Sequence, residues 1–86
     1  MKVQAEVSLY PLRTPALAGH VDGFIEHLRG TGLNVEVGPL SSRISGRCGE
    51  LFRALGEAFE DAARGTDAVL TIKVSNACPG GGRENR

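Results

Sequence analysis

The stretch Val35–Gly46, VEVGPLSSRISG, constrains this chain more than any other. Two short β-rich runs flank Gly38-Pro39, and the second opens on adjacent serines, Ser41 and Ser42. Pro39 has no N–H to give to a ladder and Gly38 is able to take a positive φ, so the pair predicts the turn of a β-hairpin. A helical pattern lies on each side of the hairpin, and a strand pattern lies beyond each helix. The fold must therefore set a hairpin between two helical crossovers.

From Val3 to Tyr10 the chain alternates, with Val3, Ala5, Val7 and Leu9 on one face and Gln4, Glu6, Ser8 and Tyr10 on the other. Period two predicts a half-buried strand, ended by Pro11. Thr14-Pro15 predicts an N-cap followed by proline at the first helical position. Leu17, Val21, Phe24, Ile25 and Leu28 then form one apolar helical stripe, which Gly30 and Gly32 stop. Leu33, Val35 and Val37 make the second strand, and about Ser41 to Gly46 the third. Cys48, Leu51, Phe52, Leu55, Phe59 and Ala62 make a second helical stripe, capped at Gly65. On the last strand Ala68, Leu70, Ile72 and Val74 are expected inward, with Thr71, Lys73 and Ser75 opposite.

The order β-α-β-β-α-β with right-handed crossovers predicts a ferredoxin-like α+β fold, a four-stranded antiparallel sheet with two helices on one face. Strands one and three are expected to lie parallel at the centre, with strands two and four at the edges. Residues 1–76 would form the domain and residues 77–86, which are Pro, Gly and charge, a flexible tail. The third and fourth strands are read as running opposite ways, which puts Cys48 and Cys78 at opposite ends of the sheet, beyond disulfide reach. Cys48 reads as a small buried side chain.

Composition narrows the function classes. Eighty-six residues suffice for one small domain, which buries about 60–65% of its unfolded surface, so stability is modest or helped by oligomerisation. Ten basic and ten acidic residues cancel, leaving no electrostatic footprint for nucleic acid or an anionic membrane. No run approaches the ~20 apolar residues of a membrane span, and the N-terminus has no signal-peptide pattern. The expected location is the cytoplasm. The cysteines lack the spacing of a zinc ribbon or a redox pair. His20 and His27, seven apart, read as two solvated imidazoles rather than metal ligands. No nucleophile elbow, Walker or Rossmann pattern is present, and the Gly80–Gly82 run follows Pro79, where it cannot open a phosphate-binding helix. No cofactor is expected.

Three features invite a binding role. The outer sheet face should carry Gln4, Glu6, Ser8, Tyr10, Asn34, Glu36, Arg43, Thr71, Lys73 and Ser75, a set that suits either solvent or a wet, polar interface. Ser42, between Leu40 and Ile44, should point inward if they do, and an inward hydroxyl needs a backbone or ligand partner. Gly19 and Gly23, each costing the first helix about 1 kcal/mol, leave a smooth strip where a ligand or backbone could approach.

Val7-Ser8-Leu9-Tyr10-Pro11-Leu12, Leu40-Ser41-Ser42 with Ile44 to Gly46, and Asn76-Ala77-Cys78-Pro79-Gly80 together resemble the YkoF-related family of thiamine/hydroxymethylpyrimidine-binding proteins. The Leu51-Phe52 to Phe59 spacing is similar too, so the resemblance covers nearly the whole chain. It implies a ferredoxin-like fold that binds thiamine or its pyrimidine moiety without catalysis. Members may carry two units in tandem; a single unit implies a homo-oligomer, a dimer above all. Ser8, Tyr10, Ser41 and Ser42 match recurring positions of the family, as does Cys78, whose role could be structural. Hydroxyls can read the pyrimidine edge, Tyr10 or Phe52 can stack on a ring, and Glu6 or Glu36 can face the thiazolium cation. Both helix C-termini, expected near the starts of strands one and three, would favour a cation there.

Rival classes fit less well. An acylphosphatase-type enzyme needs an anion cradle with a positioned arginine, and only Arg13 follows the first strand. RNA binding needs more sheet-face aromatics than Tyr10. A metal carrier needs paired cysteines. The alternative is a regulatory or structural oligomerisation domain with a different ligand or none.

Overall fold

Alternation sets β1, Lys2–Leu12, whose inward residues Val3, Ala5, Val7 and Leu9 are all buried. The structure, a computed structural model, describes residues 1–77. After β1 come α1 (Leu17–Gly30), β2 (Asn34–Val37), β3 (Ser42–Arg47), α2 (Cys48–Ala62) and β4 (Asp67–Ser75). The strands form one sheet in the order β2-β3-β1-β4, with every neighbouring pair antiparallel. The helices pack on each other over β1, β2 and β3. This is the expected ferredoxin-like architecture.

The central pair differs from expectation. β1 and β3 are antiparallel, not parallel. One right-handed crossover makes β1 and β2 parallel, and the hairpin then reverses β3. By the same logic β3 and β4 run the same way, which removes the ground for placing the two cysteines at opposite ends of the sheet. Cys78, like the rest of the tail beyond Ala77, lies outside the described residues. Cys48 is half-buried against the core. The helices are antiparallel too: the start of α1 meets the end of α2, where His20 Nδ1 lies 2.8 Å from the Ala62 carbonyl oxygen. Their C-termini therefore do not converge on one end of the sheet.

Several boundaries also shift. β1 runs through Pro11 to Leu12 because β4 alone pairs with it there, so a missing N–H costs nothing on the open side. Helix α1 begins at Leu17, with Ala16 as its cap residue; the Thr14 hydroxyl accepts from the Ala16 N–H at 3.1 Å and so shapes the turn leading in. Gly38 does not have a positive φ. It is needed for closeness instead: its N–H donates to the Ser41 carbonyl at 3.0 Å, and a Cβ on it would lie 2.9 Å from that oxygen. The four-residue loop this creates leaves Leu40 out of β3 and 90% exposed, not inward. Apart from the helix's own backbone and the chain neighbours, no atom of the described residues lies within 4 Å of a Cβ built on Gly19 or Gly23, so the strip they leave is open.

Both histidines pack in the seam between the helices rather than in free solvent. A carbonyl only accepts, so His20 Nδ1 carries the proton it donates to Ala62. His27 lies 4.0 Å from Glu57 and 3.8 Å from Asp61.

The core is Phe24, Ile25 and Leu28 of α1 and Leu51, Ala54, Leu55, Ala58 and Ala62 of α2, against β1 and Ile44. The buried stripe of α2 thus passes through three alanines and leaves Phe52 48% exposed. On β4 the expected inward residues do share the face of Val7 and Leu9, but Ile72 is 41% exposed because this edge is poorly covered. Leu51→Ala should cost about 3 kcal/mol, as for other large-to-small core changes, and Phe52→Ala less than about 1 kcal/mol. Urea denaturation of both variants checks this; equal losses would put Phe52 in the core.

Candidate functional site

Strand lengths create the site. β1 pairs with β4 as far as Leu12, but with β3 only as far as Val7. From Ser8 onward one edge of β1 is uncovered, and the hairpin loop and α1 stand around it. The result is a cavity of about 600 Å³. Buried Val7, Leu9, Phe24 and Ile25 form its apolar floor, and exposed Tyr10, Val37 and Leu40 line it as well.

Four of the residues expected from the sequence meet here: Ser8, Tyr10, Ser41 and Ser42 all line the cavity. Their hydroxyls are differently engaged. Ser8 Oγ lies 3.5 Å from the Leu40 carbonyl, the outer limit of a hydrogen bond. Ser41 Oγ donates to Glu6 Oε2 at 2.9 Å. Ser42 is 9% exposed, and its hydroxyl has no hydrogen-bond partner among the described residues. A buried hydroxyl without a partner carries a desolvation cost that a ligand atom could relieve.

Glu6, Glu36 and Phe52 are not brought to this cavity. Phe52 sits on the exposed side of α2. The two glutamates belong to a row across the outer face, Glu36–Arg43–Glu6–Lys73, in which each residue is the register partner of the next. Charges alternate along this row through all four strands, and Arg43 donates to Glu36 at 3.0 Å. Such cross-strand pairs each contribute about 0.2–1 kcal/mol. Shallow depressions on this face are lined by Glu6, Leu40 and Ser41 together with Arg43 or Lys73. Arg13, the arginine an anion cradle would use, is ion-paired with Asp67.

Sequence reasoning missed the wall that α1 contributes: Val21, Asp22, Glu26 and Arg29. The signal was present, since Asp22, Glu26 and Arg29 follow at i, i+4 and i+7 beside the apolar stripe, which sets them along one helical line. Arg29 pairs with Glu26 at 3.3 Å. Asp22 has no ion pair or hydrogen bond among the described residues. The described residues contain no cluster of three potential metal ligands, and no described helix is long and apolar enough to cross a membrane.

An apolar floor, a few convergent polar groups and this volume fall within the range of small-molecule sites. The fold and cavity together define a ferredoxin-like domain with a recess of ligand size at one end of its sheet. The chain belongs to the YkoF-related family, whose sequence pattern matches residues 2–81. No protein of curated function matches it. Among solved structures it is similar to a hypothetical protein of Methanocaldococcus jannascii, at 28% identity over 87% of this chain and 79% of that one, TM-score 0.80. A Streptococcus pneumoniae protein is similar at 25% identity, covering 87% and 86%, TM-score 0.81. A Thermotoga maritima protein provisionally assigned to thiamine biosynthesis or salvage shares the fold at 22% identity, covering 99% and 95%, TM-score 0.82.

Proposed function

We propose that this protein is a non-catalytic cytoplasmic binder of thiamine or its hydroxymethylpyrimidine moiety, holding the ligand in the cavity beside the uncovered edge of β1. The observation that carries the reading is the convergence of Ser8, Tyr10, Ser41 and the unpartnered Ser42 hydroxyl on one recess. An aminopyrimidine edge offers donors and acceptors to hydroxyls and backbone groups, and the Tyr10 ring offers a stacking surface. Membership of the YkoF-related family and the fold shared with the Thermotoga maritima protein support the same ligand class.

Calorimetric titration with thiamine, and separately with hydroxymethylpyrimidine, tests the reading. Saturable binding near one ligand per chain is expected. Ser42→Val should weaken that binding several-fold while leaving the melting temperature unchanged or raised, because the hydroxyl it removes has no partner among the described residues. Absence of heat from both ligands would favour an oligomerisation domain instead.

The functional form in this reading is a homo-oligomer, a dimer in its simplest version, joined through the outer sheet face. Support comes from the alternating row: a second copy related by a two-fold axis parallel to the strands would set each charge of Glu36–Arg43–Glu6–Lys73 opposite its complement. Sedimentation of the wild type should give more than the monomer mass, and Arg43→Glu should shift it towards monomer. A monomeric wild type at high concentration would remove this part of the reading.

A further inference from the structure

Resting on the cavity being the ligand site, we infer that Asp22 is the residue that selects the cationic ligand, thiamine, over its neutral pyrimidine fragment and over its phosphate esters.

Among the described residues, the charged ones that line the cavity all come from α1: Asp22, Glu26 and Arg29. Arg29, the one cation among them, is engaged by Glu26 at 3.3 Å. That pair is close to neutral as seen from the recess. Asp22 is left as an uncompensated carboxylate on the wall, so the cavity presents one net negative charge. On β3, which lines the same recess, Ser42 is nine-tenths buried with a hydroxyl that has no partner among the described residues. The lining therefore combines a neutral hydroxyl on β3 and a carboxylate on α1 with the apolar side chains of Val7, Leu9, Phe24 and Ile25.

A ligand that uses both groups carries a hydrogen-bonding neutral ring and a positive charge. Thiamine has this form, and hydroxymethylpyrimidine has only the first half. The cavity volume of about 600 Å³ accommodates a two-ring ligand. Phosphate esters are disfavoured because no unpaired cation among the described residues lines the recess, and their charge would lie near Asp22 and Glu26. Asp22 is exposed, so its contribution is that of a screened ion pair rather than a buried one. That suits discrimination between ligands better than tight binding. Glu6 and Glu36, the acids the sequence singled out for this role, are held in the outer-face row instead.

The test is titration of the wild type and of Asp22→Asn with thiamine, hydroxymethylpyrimidine and thiamine monophosphate, at two salt concentrations. Asp22 is solvent-exposed without internal partners among the described residues, so the variant keeps the fold, which its melting temperature verifies. Expected is thiamine binding weakened by about three- to fivefold in the variant, the size an exposed ion pair supplies. Hydroxymethylpyrimidine binding should be unchanged, the monophosphate should bind the wild type more weakly than thiamine does, and added salt should narrow the difference between the two proteins. Equal thiamine affinity in both proteins, or a matching loss with hydroxymethylpyrimidine, overturns the inference and leaves the binding function standing. Absence of binding by the wild type to all three compounds overturns both.

Discussion

The unequal pairing of β1 is the constraint on which the rest of this structure depends. A central strand normally gives both edges to neighbours along its length. Here β3 stops pairing at Val7, while β4 continues to Leu12. The reason lies in the hairpin: its four-residue loop closes through the Gly38 N–H and the Ser41 carbonyl, so β3 starts only at Ser42. Helix α1 must still span from the end of β1 back to β2, and it bridges the gap without filling it. Backbone that would have been consumed by a longer ladder is left facing a recess, with the hydroxyls of the loop and strand around it.

That geometry sorts the polar residues of the sheet into two groups with different tasks. Across the outer face, Glu36, Arg43, Glu6 and Lys73 neutralise one another strand by strand, and their worth is cross-strand stabilisation and register. Beside the open edge of β1, Ser42 is desolvated without a partner and Asp22 is charged without one among the described residues. Satisfied polar groups hold a fold together; unsatisfied ones at a cavity are free to recognise something. Ser41 stands between the two groups, lining the recess while donating to Glu6.

Much of this was legible in the residues. Strict alternation from Val3 to Leu9 and the two apolar stripes fixed the element order and the fold, and family membership follows from motifs spread along the whole chain. Ser42 was expected inward if Leu40 and Ile44 were; Ser42 and Ile44 are buried, while Leu40 is not. Failures came where local pattern does not carry the answer. Strand direction follows from crossover and hairpin together, so it is a property of the topology. Phe52 looked like core by hydrophobicity, yet Ala54 and Ala58 take the close approach between the helix and its neighbours. Leu40 was considered as an inward neighbour of Ser42, but the loop geometry at Gly38 leaves it exposed. Asp22 could be found only once the helix had a cavity to face.

Amide chemical-shift mapping by NMR, with thiamine titrated into the protein, tests the central claim most directly. The account predicts perturbations concentrated at Ser8 to Tyr10, at Val37 to Ser42 and along α1 from Val21 to Arg29. Shifts confined to the outer-face row of Glu6, Glu36, Arg43 and Lys73, with the cavity residues unmoved, would contradict it.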